Sequence, residues 1–252
     1  MRLALHAEWT KTRTVAGPLW LLLGTVAATV VLSTVATAVV NCTASGCGGD
    51  TTRLALMGVH LGQALVAILA VLFISGEYST GMIRTTLTAM PRRATAFAAK
   101  AVTLTGVVAV GGTVAVLGSV LAGRIVLPDL GDQALSLSDG PTLRAVFGTV
   151  LYLILIGLLS FGIATAVRDS ATGIGGVLGL LYVVPIVSQS ISDPDWQRLL
   201  EKMAPMSAGL AIQATTHVHS LPLSPWAGLG VTAGWAAAAL VAGGLLLRER
   251  DA

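Results

Sequence analysis

Residues 18–40 run for twenty-three positions without a charged side chain. Few environments accept such a segment as a helix. A helix rises about 1.5 Å per residue, so about 20 apolar residues cross roughly 30 Å of hydrocarbon. A surface helix of a soluble domain needs instead a polar face toward water. Uncharged runs recur at 54–75, 101–123, 145–167, 171–190 and 226–247. His60 and Gln63 interrupt the second run, and Pro185 sits near the far end of the fifth. Only 11% of the chain is charged, against about 25% in soluble domains. The strands of a membrane barrel would alternate with period two over about ten residues, and these runs do not. The expected fold is therefore an all-α integral membrane protein, a single transmembrane domain of six helices over residues 1–252.

Charge bias sets the expected orientation, because cytoplasmic segments near a bilayer carry the excess of Lys and Arg. With the N-terminus inside, the inner segments hold ten basic and five acidic residues, and the outer segments five and seven. Both termini are expected to be cytoplasmic. The start of the chain imitates a cleavable signal, with Ala36-Thr37-Ala38 in the place of a cleavage site. Its apolar core of twenty-three residues exceeds the roughly 7–15 of a signal peptide, which favours a retained span. Arg outnumbers Lys twelve to three beside abundant Ala, Val, Gly and Thr, a usage resembling GC-rich bacterial coding and placing the chain in a bacterial cell membrane. The basic residues are spread singly between apolar runs, so no patch for nucleic acid forms.

Chemistry-bearing motifs are sparse. A phosphate-binding loop needs Gly-Lys-[Ser/Thr] after a glycine four residues upstream, and the chain has no Gly-Lys pair. Gly173, Gly175, Gly176 and Gly179 read better as small residues admitting close helix contact, as do Gly230, Gly234 and Ala238. Neither a His-Glu-x-x-His site nor a serine–histidine pair at matched depth is present, so an enzyme is not expected. Cys42 and Cys47 fall in the first outer loop, where a loop-closing disulfide is the leading reading and two free thiols the alternative. His217 and His219 in the last outer connector read as a solvated pair. His60 and Gln63 lie one helical turn apart, where polar groups either line a pathway or bond between helices. In the last outer connector Trp196, Leu199, Leu200, Met203 and Leu210 follow helical spacing with a break at Pro205, so two short helices at the outer interface are expected.

The inner segment after the second run reads Gly76-Glu77-Tyr78-Ser79-Thr80-Gly81-Met82-Ile83-Arg84-Thr85-Thr86-Leu87 and continues to Pro91-Arg92-Arg93. Glu77 and Arg84 are seven apart and would share a helix face, and Pro91 would end that helix. A solvated loop is the plain reading; a short interfacial helix that docks a cytosolic partner is the other.

This segment resembles the one following the second span in ABC-2 type transporter permeases: an acidic residue, a small residue and glycine, Arg-x-x-Leu, then proline and a basic residue. Glu77, Thr80, Gly81, Arg84, Leu87, Pro91 and Arg92 meet that pattern. Glu8, Trp9, Lys11 and Arg13, just before the first span, resemble the amphipathic lead-in of actinobacterial members. The resemblance implies an exporter permease with a coupling helix between the second and third spans, in which Glu77, Tyr78, Thr80, Gly81, Arg84, Leu87, Pro91 and Arg92 contact an ATPase. It implies a separate cytosolic ABC ATPase carrying the ATP and magnesium, no cofactor in this chain, and a second permease copy or a sister permease in the bilayer. A hydrophobic or amphipathic cargo moved by alternating access fits that class. An ion-coupled carrier and a non-transporting assembly factor are the rival classes; carriers usually hold paired ionisable residues at mid-membrane, and these spans hold none.

The orientation is testable by labelling. On a background lacking Cys42 and Cys47, cysteines at Ser79 and Arg250 are expected to resist an impermeant thiol reagent in intact cells, while one at Asp132 reacts. Reaction at Arg250 but not at Asp132 would invert the topology.

Overall fold

The computed structural model describes residues 16–39, 50–79, 93–126 and 139–249, which are helical nearly throughout with no strand among them. Six helices are long and apolar enough to cross a bilayer, which makes the chain a multi-pass membrane protein. The first span is the helix Ala16–Val39, the second Val59–Ser79, the third Arg93–Val126 and the fourth Gly140–Val167. The fifth is composite, Ser170–Leu178, a π-helical stretch Gly179–Val183 and Val184–Gln189; the sixth is Pro225–Glu249. Neighbouring spans alternate in direction. One end of the bundle therefore carries the start of the first span and the finish of the sixth, and the other carries the connectors around residues 50–58 and 190–224.

The second and fourth spans are the most enclosed of the six. The fourth packs on the sixth, second and third, while the first leans on the third and second. Tyr152, Phe161, Leu153, Ile156 and Leu159 of the fourth span are essentially unexposed. Trp20, Val31, Val110, Phe147 and Val241 are more than half exposed on the outside of the bundle. That inversion of the soluble pattern is the expected one where hydrocarbon is the solvent.

Span ends fall near those expected, with two informative departures. The second run does not begin as one helix at residue 54. A short helix Thr51–Ala55, capped by Asp50, precedes a turn at 56–58, and the span starts at Val59. The turn is fixed from across the bundle, because the Gly58 N–H donates to Ser33 Oγ of the first span at 3.0 Å. The third helix, 34 residues from Arg93, is about 51 Å long and overreaches a hydrocarbon layer of roughly 30 Å. Its first turns, Arg93 to Lys100, project beyond the apolar run at the end where the chain starts.

Proline explains the composite fifth span. Pro185 has no N–H, and its ring crowds the carbonyl four residues back, that of Leu181. A wider π turn, Gly179–Val183, sits directly before it and relieves that crowding. Between the fourth and fifth spans the chain reverses in two residues. Arg168 takes a left-handed conformation at φ 63°, and the Asp169 carboxylate caps the next helix by accepting from the Thr172 N–H at 2.7 Å. Those hydrogen bonds hold the Asp169 carboxyl below the usual carboxylate range.

The connector before the sixth span contains the two expected short helices, Pro194–Met203 and Pro205–Leu210. Trp196, Leu199 and Met203 leave an apolar row exposed on the first of them. The second is buried against the sixth span, where Thr232 Oγ1 donates to the Pro205 carbonyl at 3.1 Å and Trp235 Nε1 to that of Met203 at 2.9 Å.

Glycine seats set the helix separations, although not at the positions expected. Among the described residues nothing approaches Gly175, Gly176, Gly179, Gly230 or Gly234 closely enough to make a packing seat of them; Gly173 meets Val71 and is the exception. The close approaches are elsewhere. A Cβ on Gly58 would lie 1.9 Å from the Thr29 carbonyl oxygen, on Gly228 2.0 Å from that of Ala208, and on Gly162 2.5 Å from backbone of Ala239. Gly58→Ala and Gly228→Ala are expected to destabilise by about 1–3 kcal/mol as overpacked sites, lowering the melting temperature of the detergent-purified protein. Gly230→Ala, with room for its methyl, is expected to leave it unchanged.

Candidate functional site

Polar groups in hydrocarbon are costly unless bonded, so the places where this bundle buries them locate its specialised structure. The first lies where the second, fourth and fifth spans meet. Gln63 and Tyr152 are both fully buried. The Tyr152 hydroxyl donates to Gln63 Oε1, Gln63 Nε2 donates to the Tyr182 hydroxyl at 3.2 Å, and the Tyr182 hydroxyl donates to the His60 backbone carbonyl. Each hydroxyl gives one proton, and donation runs in one sense from the fourth span to the second, on to the fifth and back to the second. Tyr182 belongs to the π turn, so the irregular part of the fifth span is the part that is bonded.

The expected pair thus separates. Gln63 bonds between helices, whereas the His60 side chain, half-buried, lines a cavity of about 330 Å³ at the connector end. Pro185, Ser188 and Gln189 of the fifth span form one side of it, Arg53 and His60 another, and the connector helices contribute Glu201, Met206, Ser207 and Leu210. Ser188 is buried, its hydroxyl donating to the Pro185 carbonyl at 2.7 Å.

A clasp holds the connector over this region. Asp50 caps the helix Thr51–Ala55 through the Arg53 N–H at 3.2 Å. Its two oxygens also accept from the Thr215 N–H, from Thr215 Oγ1 at 2.7 Å and from the Thr216 N–H at 3.0 Å. One residue upstream, Arg144 of the fourth span donates to the Ala214 carbonyl at 2.6 Å. A carboxylate and a guanidinium from distant parts of the sequence therefore grip three consecutive residues. Burial alone would push the Asp50 carboxyl up; the hydrogen bonds from Thr215, Thr216 and Arg53 outweigh it and hold the group below its ordinary value of 3.8.

The other expected site residues divide by position. Glu77 and Tyr78 close the second-span helix, their side chains lying outside the described residues, as do Thr80, Gly81, Arg84, Leu87, Pro91 and Arg92. Glu8, Trp9, Lys11 and Arg13, and the pair Cys42 and Cys47, also lie outside them. His217 and His219 are exposed, and no group of three or more His, Cys, Asp or Glu side chains gathers among the described residues. Sequence reasoning missed Tyr152 and Tyr182, although two of the chain's three tyrosines standing inside apolar runs was an available signal. It also missed the Asp50 and Arg144 clasp, whose partners are backbone groups that no motif displays. No family model matches the chain, and comparison with curated proteins finds no match.

The clasp makes a pH prediction. A group whose pKa falls on folding stabilises the fold above its unfolded value and loses that contribution as pH drops through the folded value. The amides of Thr215 and Thr216 are expected to stay protected from hydrogen exchange down to below pH 3.8 and to open under more acid conditions. Asp50→Asn presents an N–H₂ group to donors; it is expected to expose both amides at neutral pH, at a cost of about 1–3 kcal/mol, and to abolish the acid transition.

Proposed function

We propose that the chain is the membrane-spanning permease subunit of an ATP-driven exporter of the ABC-2 type, working in a bacterial cell membrane with both termini in the cytoplasm. The feature that supports this reading is the sequence of residues 77–92. It joins the second helix, which runs on to Ser79, to the third, which starts at Arg93 well before its apolar run. The two helices that flank it both have these ends where the chain starts, outside the apolar runs. A partner engaging it gains direct purchase on the second span, which packs on the first, fourth and fifth.

The motor is then a separate cytosolic ABC ATPase, which binds the ATP and magnesium, since the sequence lacks a Gly-Lys pair for a phosphate loop. Glu77 and Arg84 form charge-assisted hydrogen bonds with it, while Tyr78, Thr80, Gly81, Leu87, Pro91 and Arg92 shape the docking segment. A second copy of the chain or a sister permease completes the pathway. The wide exposed faces of the first, fifth and sixth spans leave room for one. Cargo of hydrophobic or amphipathic character moves outward by alternating access.

Glu77→Ala and Arg84→Ala are expected to insert normally, because neither lies in the hydrocarbon. Removing one end of a buried charge pair costs roughly 3–5 kcal/mol, so both variants are expected to lower transport and to weaken co-purification of the ATPase. Transport by the wild-type chain reconstituted alone, driven by an ion gradient with no ATPase present, would overturn the exporter reading in favour of an ion-coupled carrier.

A further inference from the structure

The cavity at the connector end has an unusual charge pattern for a membrane protein. Arg53 and His60, from the short helix and the start of the second span, and Glu201, from the connector helix, all line it. Glu201 accepts from Gln197 Nε2 at 3.4 Å, and among the described residues neither Arg53 nor Glu201 is paired with an opposite charge. A simple anion drawn to Arg53 would meet Glu201, and a simple cation drawn to Glu201 would meet Arg53. A group carrying both charges satisfies both.

The rest of the lining says what accompanies that group. Met206, Leu210, Leu221 and Leu223 bring apolar surface into the same cavity. Its volume of about 330 Å³ lies at the lower end of ligand pockets, roughly 300–1,000 Å³, which suits a headgroup and the start of a chain better than a whole lipid. The roofing helix Pro194–Met203 turns Glu201 to the cavity and leaves Trp196, Leu199 and Met203 exposed. A helix with one apolar row and a polar row lies in the plane of the interface, at the boundary of headgroups and acyl chains. The cavity beneath it is at that level.

We propose that this cavity binds the zwitterionic headgroup of an amphiphile, with the anionic group at Arg53 and the ammonium at Glu201, and with its first apolar carbons against Met206 and Leu210. The inference concerns binding at the connector end and holds whether or not an ATPase drives the chain. Phosphatidylethanolamine has this chemistry.

The test titrates the full chain, purified in a maltoside detergent and stripped of lipid, with dihexanoyl phosphatidylethanolamine, dihexanoyl phosphatidylglycerol and chain-free glycerophosphoethanolamine, read by native mass spectrometry. The wild type is expected to retain the ethanolamine lipid saturably and more tightly than the other two. Loss of one charged hydrogen bond, about 1.5–3 kcal/mol, is worth at least about tenfold in affinity. Arg53→Gln is expected to weaken both lipids by that factor. Glu201→Gln is expected to weaken only the ethanolamine lipid and to narrow its advantage over phosphatidylglycerol. Arg198→Gln, on the exposed surface of the same helix, is expected to bind as wild type. The two test positions sit on different elements, so misfolding of one variant, seen as a lowered melting temperature, leaves the other decisive. Affinities unchanged in both variants would overturn the proposal, as would equal wild-type binding of phosphatidylglycerol. Equal binding of glycerophosphoethanolamine would overturn the amphiphile in favour of a soluble zwitterion.

Discussion

Hydrocarbon gives apolar side chains no reason to leave it for one another, so helices in a bilayer are held by close approach and by polar bonds between them. This bundle depends on both, and at the same places. At Gly58 the backbone comes so close to the first span that the Thr29 carbonyl occupies the space of a side chain, and the N–H it frees goes to Ser33. At Gly209 the face of Tyr152 fills the space of a Cβ, and the same tyrosine starts the hydrogen-bond relay through Gln63. Contact distance and polar satisfaction are set together, since a side chain at Gly58 or Gly209 would push apart the groups that bond beside it.

The first span shows how a polar stripe is made tolerable. Thr25, Thr29, Ser33 and Thr37 recur at four-residue spacing and are all buried. Thr25, Thr29 and Thr37 return their hydroxyl protons to the carbonyl four residues back, at 2.6–3.0 Å. That leaves the three threonines compact, with their donors met, while the Ser33 hydroxyl accepts from Gly58. The opposite face, with Trp20, Val31 and Val35 more than half exposed, is apolar and suited to lipid.

The number and placing of the spans were legible because hydropathy integrates over about 20 residues, and errors of a few residues at either end do not alter the sum. Local breaks were not. Residues 54–58 carry the same apolar character as those after them, and the turn there is imposed by Ser33 from another helix. The glycine spacing at 230 and 234 suggested a close helix contact that these positions do not make among the described residues. Which face meets a neighbour depends on the whole arrangement, and in helices apolar all round the spacing alone does not decide it. The connector helices were legible for the opposite reason, since Pro194–Met203 mixes charged and apolar residues and its period stands out. Of the site, His60 and Gln63 were visible as polar atoms in an apolar run. The tyrosines that separate their roles were not, because tyrosine counts as apolar in a hydropathy sum while its hydroxyl decides the packing.

That separation of roles gives the connector end its mechanical character. His60 turns its side chain to the cavity and its carbonyl to Tyr182. The cavity wall and the π turn of the fifth span are therefore joined through one residue. Pro185, four residues from the wide turn's midpoint at Leu181, removes a backbone bond from the same half-helix, and Pro185 itself lines the cavity. The half-helix Val184–Gln189 packs on the connector helix Pro194–Met203 and on the π turn, while the tie to the second span is made from the π turn by Tyr182. If the π turn moved away from the second span, the Tyr182 hydroxyl and Gln63 Nε2 would lose partners in hydrocarbon, each at about 1–3 kcal/mol. Movement of the second and fifth spans as a pair would keep the bonds between those two spans and load only the Tyr152 bond to the fourth. The cavity is therefore bounded by a second and a fifth span that the relay ties together and by a connector that Asp50 and Arg144 clasp. A change of cavity shape that parted the second and fifth spans would thus cost the relay its bonds.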